Sequence, residues 1–387
     1  MRRVLRILGR ALFVLLLVAG VFALIKREEI SRLMAVNALF SEERIVANFS
    51  HMDLLFHFRV LDRGAGPVSA LPMGAPEALS PEVQAWITAR HVTALVMMRA
   101  GAIVHESYYL GTGPEDLRIS WSMAKSVLSA LFGTLYEEGT IHDLDRQVTE
   151  YAPTLQGSAY EGATLRDVLT MSSGVAFNED YMDFSSDINR MGRVLALGGS
   201  MDGFAASLKA RATEPGTHMH YVSIDTHVLG MVIAGATGRD PVDLMEERII
   251  QPMGFEASPE MLTDGEGTGF VLGGLNMRTR DYARIGQMML QQGAWNGRQI
   301  VPAAWVAAST SHQAADGAGY GFQWWVPKDS AAHGHDYMAR GIYGQYIYVN
   351  PAAQVVIAVN AADRGFDADG VEDANLALLR RMARPEG

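Results

Sequence analysis

A serine and a lysine lie three residues apart at the start of a strongly apolar helical segment. The stretch SWSMAKS, residues 120–126, places Ser122 and Lys125 at positions i and i+3, so both side chains share one face of the first helical turn. The chain has only four lysines, and arginine supplies nearly all of its other positive charge. Because a partly buried lysine can lose its proton and an arginine cannot, this choice indicates a neutral amine beside Ser122.

A serine hydroxyl becomes a nucleophile only when a nearby group accepts its proton. In the first turn of a helix, free backbone N–H groups and the helix dipole favour a developing oxyanion. An S-x-x-K pair taken alone is more often a capping serine followed by a solvated lysine. The chemistry therefore requires further groups.

Two other stretches could supply those groups. Tyr221 and Ser223 begin another predicted helix, where a phenol and a hydroxyl can face a shared cleft. Gly341 precedes Ile342 at the start of a predicted edge strand, and a glycine there allows a backbone N–H to approach a substrate carbonyl. Taken alone, each stretch is also typical of an ordinary loop or bulge.

The elements that must position these residues follow an α+β pattern. Residues 92–110 and 343–362 each contain two β-rich runs, and helical periodicity fills the region between them. We therefore expect an antiparallel sheet formed from both chain ends and flanked by helices, with a mainly helical lobe inserted over about residues 135–315. The seam between the sheet and the lobe is the expected place for a pocket.

In this order, the S-x-x-K, Y-x-S and glycine-strand motifs resemble those of serine hydrolases related to class C β-lactamases and D-alanyl-D-alanine peptidases. FNEDYMD at 177–183, GGLNMRTRDYARIGQMML at 273–290, QWW at 323–325 and GIYGQ at 341–345 are similar to the 6-aminohexanoate-dimer hydrolase branch. The resemblance spans roughly residues 92–361. It implies a β-lactamase/transpeptidase-like fold, which agrees with the α+β pattern.

The resemblance also implies a catalytic set. Ser122 is expected to be the acylated nucleophile, and Lys125 and Tyr221 are expected to handle its proton, with the order of the two bases left open. The implied activity is hydrolysis of a small amide or ester through an acyl-enzyme, without a cofactor. The alternatives are D-alanyl-D-alanine peptidase or β-lactamase activity, and a non-catalytic, membrane-anchored sensor of cell-wall peptides.

A substrate-binding set follows from the same resemblance. The backbone N–H of Ile342 is expected to form the oxyanion hole with that of the nucleophile, and Ser223 is expected to support the site by hydrogen bonding. Tyr181 corresponds to a tyrosine beside the scissile group. Gly341 and Gln345, both in GIYGQ, are the remaining predicted contacts.

One departure from the β-lactamase pattern concerns the K-T-G strand motif. Aligning its glycine with Gly341 places Ala339 at the lysine position and Arg340 at the threonine position. That lysine's charge helps to hold the substrate carboxylate. Efficient β-lactam turnover is therefore not expected, although Arg340 could partly substitute.

The composition of the chain argues against several classes of binding partner. A net charge of −11 argues against nucleic acid as a partner. The absence of cysteine excludes disulfides and thiolate metal sites. The pairs His218/His220 and His333/His335 lack the H-E-x-x-H spacing, so no metal is expected. A small-molecule amide or ester is the expected partner.

The N-terminus predicts an export signal or a membrane anchor over residues 1–27. Four arginines precede an apolar run from residue 11 to residue 25, which as a helix spans roughly 22 Å, against ~30 Å for a bilayer core. We expect an uncleaved inner-membrane anchor with the catalytic domain in the periplasm, or export after signal cleavage. Residues 28–85 are then a juxtamembrane arm, and residues 86–387 the hydrolase domain.

Overall fold

Two hairpins that lie far apart in the sequence pair to form one antiparallel sheet. The computed structural model describes residues 2–25, 27, 32, 34, 36 and 38–384. In it β2 (Val92–Arg99), β3 (Ala102–Tyr108), β9 (Tyr337–Gly341), β10 (Gln345–Asn350) and β11 (Val355–Ala361) lie in the order β3-β2-β11-β10-β9. Every pairing is antiparallel. The predicted sheet from both chain ends is confirmed.

Helices cover both faces of this sheet. α3 (Pro81–Ala89) and α14 (Val371–Ala383) bury apolar side chains against one face. α12 (Thr279–Leu290) packs against β2, β10 and β11 on the other face. At Gly286 an added Cβ would lie 2.5 Å from the Val356 side chain, so glycine permits the close approach of helix and sheet.

A mainly helical lobe is inserted between the two hairpins, as predicted. Its centre contains α4 (Met123–Glu137), buried throughout residues 123–135, and α9 (Ser223–Thr237), buried throughout residues 223–233. The two helices are in contact. The other described helical segments of this region are α5 (Val148–Tyr151), α6 (Leu165–Leu169), α7 (Asp187–Ala196), α8 (Met201–Ser207), α10 (Pro241–Met245), a π-helical turn (Glu246–Ile250), α11 (Gln251–Met253) and α13 (Ala303–Ser309).

Smaller elements complete the described chain. A second antiparallel sheet has the order β1-β5-β6-β4 and contains β1 (His57–Val60), β4 (Arg118–Ile119), β5 (Glu260–Thr263) and β6 (Leu275–Met277). A short hairpin and three 3₁₀ turns are also present: β7 (Ala294–Trp295), β8 (Arg298–Gln299), and the turns Met52–Leu54, Pro153–Leu155 and Ser330–His333. β4 leads directly into the helix that carries the predicted nucleophile.

The structure corrects the division between arm and domain. From residue 38 onward, the segment that the sequence suggested was an irregular arm is packed into the fold. α2 (Ile45–Asn48) and the buried side chains of Phe49, Met52 and Leu61 join the main hydrophobic core. β1 pairs with β5 in the second sheet. From residue 38 onward, the predicted arm is therefore part of the folded domain.

The apolar N-terminal run forms α1 (Arg2–Ile25). Its apolar side chains between residues 7 and 18 are exposed. Among the residues that the structure describes, no helix is both long and apolar enough to cross a membrane.

Candidate active site

Ser122 lies at the N-terminus of α4, immediately after a residue with unusual backbone geometry. Trp121 has a φ of +42°, which is rare for a bulky side chain. The Trp121 ring packs against Phe40, Phe49 and Tyr343, with centroid distances of 5.8, 5.5 and 6.5 Å. Although Ser122 occupies the N-cap position, its side chain makes no capping hydrogen bond. The capping explanation of the S-x-x-K pair is therefore excluded.

Lys125 is buried, as the neutral-amine interpretation requires. Its side chain is 1 % exposed, and Nζ donates a hydrogen bond to the backbone oxygen of Leu272 at 2.7 Å. Burial lowers the pKa of Lys125 to about 7, against the opposing effect of the Glu179 and Asp225 carboxylates. At neutral pH a large fraction of this amine is therefore unprotonated.

Tyr221 lies beside both the lysine and the nucleophile. Its side chain and that of Ser122 line the same cavity, the Ser122 hydroxyl is among the groups that lower the pKa of the phenol, and Lys125 Nζ lies 5.7 Å from the centre of the Tyr221 ring. The ring stacks on Trp325 at 5.5 Å. Burial, followed by the charge of Glu179, raises the pKa of Tyr221 well above its ordinary value, so this phenol keeps its proton at neutral pH.

A carboxylate that the sequence analysis did not single out holds two of the predicted residues together. Glu179 accepts hydrogen bonds from the backbone N–H of Ser223, from its hydroxyl at 3.2 Å and from the Tyr181 hydroxyl at 2.9 Å. Burial raises the pKa of Glu179, and the nearby Lys125 opposes that shift. The signal was present in FNEDYMD, two residues before the tyrosine that was chosen.

Asp225 is the second carboxylate near the lysine, and sequence reasoning also missed it. It is fully buried, and its Oδ1 accepts from the Tyr160 hydroxyl at 2.7 Å and from the Ser173 hydroxyl at 2.9 Å. Its Oδ2 has no hydrogen-bond partner among the described residues. Burial raises the pKa of Asp225 to about 8. An aspartate four residues after Tyr221, inside an apolar helix, was the available signal.

The predicted oxyanion donors lie on two segments in direct contact. An added Cβ at Gly341 would lie 2.5 Å from the carbonyl oxygen of Ser120, so the end of β9 abuts the chain just before the nucleophile. Within the described chain, neither the backbone N–H of Ser122 nor that of Ile342 donates to a protein acceptor. Both residues line the same cavity. Two free donors beside a serine hydroxyl can stabilise an oxyanion.

Gln345 does not occupy the position predicted for it. Its side chain is 1 % exposed, and its Nε2 donates to the backbone oxygens of Ile342, Tyr343 and Ala361. Its Oε1 accepts from the Asn360 side chain at 3.0 Å. Gln345 therefore holds the turn that carries Ile342, and the direct substrate contact expected from the sequence is corrected to a supporting one.

The structure explains the missing lysine of the K-T-G motif. Ala339 is completely buried in the core. Arg340 faces the cleft, where its guanidinium lies 4.2 Å from the centre of the Trp325 ring and pairs with Glu372. The cation that lines the cleft therefore already has a carboxylate partner.

Two cavities meet at the nucleophile. The first has a volume of about 240 Å³ and is lined in part by Tyr221, Arg340 and Glu372. The second has a volume of about 250 Å³ and a mainly apolar lining. Ser122 lines both, so a substrate carbonyl at this serine would have one substituent in each cavity.

The histidine pairs do not form a metal site in the described residues. His218 contacts Asp316 at 2.7 Å, and His333 contacts Asp329 at 3.2 Å. His220 bonds the backbone oxygen of Phe177. The described part of the chain has no cluster of three potential ligands.

Comparisons with known proteins identify the family of this chain. The model of the Beta-lactamase family matches residues 86–381. A 6-aminohexanoate-dimer hydrolase from Paenarthrobacter ureafaciens is 28% identical over 329 residues, which cover 80% of this chain and 83% of the relative.

Solved structures share the fold. A putative 6-aminohexanoate-dimer hydrolase from Bacillus anthracis superposes with a TM-score of 0.80 at 21% identity, over 89% of this chain and 95% of that one. A D-stereospecific amidohydrolase from Streptomyces superposes with a TM-score of 0.56 at 20% identity, over 76% and 98% of the two chains. With the family match over most of its length, this chain belongs to the beta-lactamase family and is a serine hydrolase.

Proposed function

We propose that the protein hydrolyses small amides or esters through an acyl-enzyme formed on Ser122. One observation carries this proposal: Ser122 and Tyr221 line one cavity, and a buried Lys125 with a lowered pKa lies 5.7 Å from the centre of the Tyr221 ring. A neutral amine, a bridging phenol and a serine hydroxyl are the groups that an acyl-transfer reaction needs. The relative named 6-aminohexanoate-dimer hydrolase supports an amide as the bond that is cleaved.

In acylation, Ser122 Oγ bonds to the substrate carbonyl carbon while its proton moves towards Lys125. Tyr221 keeps its own proton at neutral pH, so we assign the neutral amine of Lys125 as the proton acceptor and the phenol as the relay. The relay passes one proton to the amine and receives the proton of Ser122. The N–H groups of Ser122 and Ile342 stabilise the oxyanion.

The tetrahedral intermediate then collapses with loss of the amine or alcohol. The leaving atom takes a proton from the Tyr221 phenol, which recovers one from the Lys125 ammonium. Water then attacks the acyl-enzyme. One of its protons passes through Tyr221 to the Lys125 amine while its oxygen bonds to the acyl carbon. Ser122 then leaves and takes back a proton through the same two groups. Both steps use the same two groups, so free enzyme is regenerated without a cofactor.

Labelling of Ser122 tests the nucleophile assignment. We expect a fluorophosphonate to add to the peptide that contains Ser122, and Ser122→Ala to abolish both the adduct and p-nitrophenyl ester hydrolysis. Ser311→Ala removes an exposed serine outside the cleft and should behave as wild type. More than about a tenth of wild-type turnover in Ser122→Ala would contradict the proposal, because loss of a nucleophile costs far more than tenfold.

The same experiment separates the alternatives. An unlabelled Ser122 with no ester hydrolysis would favour a non-catalytic cell-wall peptide sensor. For β-lactamase or D-alanyl-D-alanine peptidase activity, the buried Ala339 and the Glu372 partner of Arg340 argue against a free cation for the substrate carboxylate. We therefore expect slow turnover of a chromogenic β-lactam and of D-Ala-D-Ala peptides relative to simple esters and amides.

We also propose that the N-terminal segment attaches the protein to the inner membrane, with the hydrolase domain in the periplasm. The support is the arginine-rich start and the exposed apolar side chains of α1. Fractionation of cells that express the full chain, compared with a variant that lacks residues 1–27, tests this. Full-length protein in the cytoplasmic fraction would contradict the periplasmic location. Protein of full length that is free in the periplasm would contradict the membrane attachment.

A further inference from the structure

The apolar cavity beside Ser122 has walls from two parts of the chain that are distant in sequence. Its N-terminal wall contains Leu39, Phe40 and Phe56, which belong to the segment that the sequence suggested was an arm. Its opposite wall contains Met191 and Leu195 of α7. Phe40 is fixed by stacking on Tyr343 at 4.8 Å. We call this cavity, with these two walls, the acyl pocket.

The position of the proton donor identifies which half of the substrate enters the acyl pocket. Tyr221, which must protonate the leaving atom, lines the first cavity and not the acyl pocket. The leaving group therefore occupies the first cavity. Ser122 and Ile342, which contact the carbonyl, line both. The acyl chain is then directed into the acyl pocket.

The polar groups of this pocket do not suit a positively charged acyl chain. No carboxylate is among the described residues that line it. Asn189 uses its side-chain amide on the carbonyls of Tyr181 and Asp183 at 3.0 and 2.8 Å. The one cation, Arg193, lies 4.1 Å over the Phe184 ring. A terminal ammonium would lose water without gaining a counter-ion, which is unfavourable.

We propose that the natural substrate carries an apolar acyl chain without a terminal ammonium, bound in the acyl pocket, and that Phe40 and its neighbours in the N-terminal wall set its length. A volume of about 250 Å³ corresponds to a chain of roughly six to eight carbons if each methylene occupies about the volume of one water. This inference rests on the proposed acyl-enzyme function. It distinguishes this enzyme from one that accepts a 6-aminohexanoyl group on the acyl side.

Gly192 offers a direct way to fill the pocket. It lies on α7 and lines the cavity, and an added Cβ there meets nothing within 4 Å. In Gly192→Leu we expect the ratio of kcat/KM for p-nitrophenyl octanoate to that for the acetate to fall about tenfold or more, the effect of displacing at least one buried methylene. Gly203→Leu is the matched control, because Gly203 is also helical and exposed but lies outside both cavities. It should leave the ratio unchanged.

Two further measurements test the wall and the charge preference. Phe40→Ala opens the N-terminal wall, so we expect the optimum chain length to increase, provided that thermal unfolding shows a folded protein. With wild-type enzyme, hexanoyl p-nitroanilide should be cleaved about tenfold or more faster than 6-aminohexanoyl p-nitroanilide. Equal rates for that pair, or an unchanged octanoate-to-acetate ratio in Gly192→Leu, would overturn the inference.

A wrong hydrolase assignment would give a different result from a wrong inference about the acyl pocket. If no ester or anilide of any chain length acylates Ser122, the hydrolase assignment itself is wrong. If Ser122 is acylated by every chain with the same efficiency, the assignment stands and the acyl pocket does not select the substrate. Intact-protein mass measured after brief mixing with each ester distinguishes these outcomes.

Discussion

Acid should inactivate this enzyme along the titration of Lys125, because only the neutral amine can accept the serine proton. An ordinary lysine with a pKa of 10.5 would be neutral in about 0.03% of molecules at pH 7. Burial lowers the pKa of Lys125 to about 7, so about half of the molecules are neutral at that pH. The difference is ~10³-fold in competent enzyme, which matches the range of about 10²–10⁴ typical of a positioned general base.

The corresponding measurement is kcat/KM for p-nitrophenyl butyrate between pH 5 and pH 8.5, followed at the isosbestic wavelength of the phenol. Because a lowered pKa means that the neutral form persists down to about pH 7, kcat/KM should be level above pH 7.5 and fall about tenfold per unit below pH 6.5.

Lys125→Arg tests the same reasoning with a cation that cannot lose its proton. We expect a loss of about 10²–10⁴ in kcat/KM at every pH. Wild-type rates in this variant, or a wild-type kcat/KM that still rises about tenfold per unit up to pH 8.5, would refute the neutral-amine argument. Circular dichroism serves as the control for folding.

Three other substitutions test the residues around Ser122 and Lys125. Tyr221→Phe keeps the stack on Trp325 but removes the relay, so kcat should fall about 10²–10⁴-fold in steady-state assays. Glu179→Gln removes the largest charge that raises the pKa of Lys125, so the midpoint of the acidic limb should move down by about one unit; an upward move would contradict the assignment. Gly341→Ala places a Cβ 2.5 Å from a backbone carbonyl oxygen and should lower kcat about 10²-fold by displacing an oxyanion donor, whereas Gly113→Ala, with open space around the new Cβ, should not.

The catalytic cluster was predictable because its signals are local. Ser122 and Lys125 share a face by helical spacing alone, and the structure places both at the start of α4 as expected. Tyr221 is identified by its own short motif, and the structure places it in one cavity with Ser122. By contrast, Gln345 had the right motif but a buried amide that bonds only backbone and Asn360.

Glu179 and Asp225 show why the remaining residues of the site could not be predicted from the sequence. Each is one of many acidic residues, and although FNEDYMD surrounds Glu179 and an apolar helix surrounds Asp225, neither context shows that the carboxylate will lie near Lys125. Their importance comes from low exposure, from hydrogen bonds that cross long stretches of chain, such as Tyr160 to Asp225, and from proximity to one amine. Such contacts are set by the packing of whole helices.

The N-terminal wall of the acyl pocket was missed for a related reason. Residues 48–80 mix aromatic side chains with GAGP and scattered prolines, so the sequence predicts that residues 28–85 form an arm between the membrane segment and the domain. In the structure, Phe40 and Phe56 reach the cavity only because β1 pairs with β5, which lies about two hundred residues later. Pairing at that separation leaves no local periodicity to detect.

The sequence by itself predicted the reaction type and the residues proposed to perform it, through a family resemblance carried by short motifs: a serine and a lysine one helical turn apart, a tyrosine at a second helix start and a glycine before a strand. These depend on local geometry. The tertiary structure alone decided the burial that lowers the pKa of Lys125 to about 7, the carboxylates around it and the two cavities. Desolvation and cavity shape come from side chains that are distant in sequence, and only the folded chain brings these together.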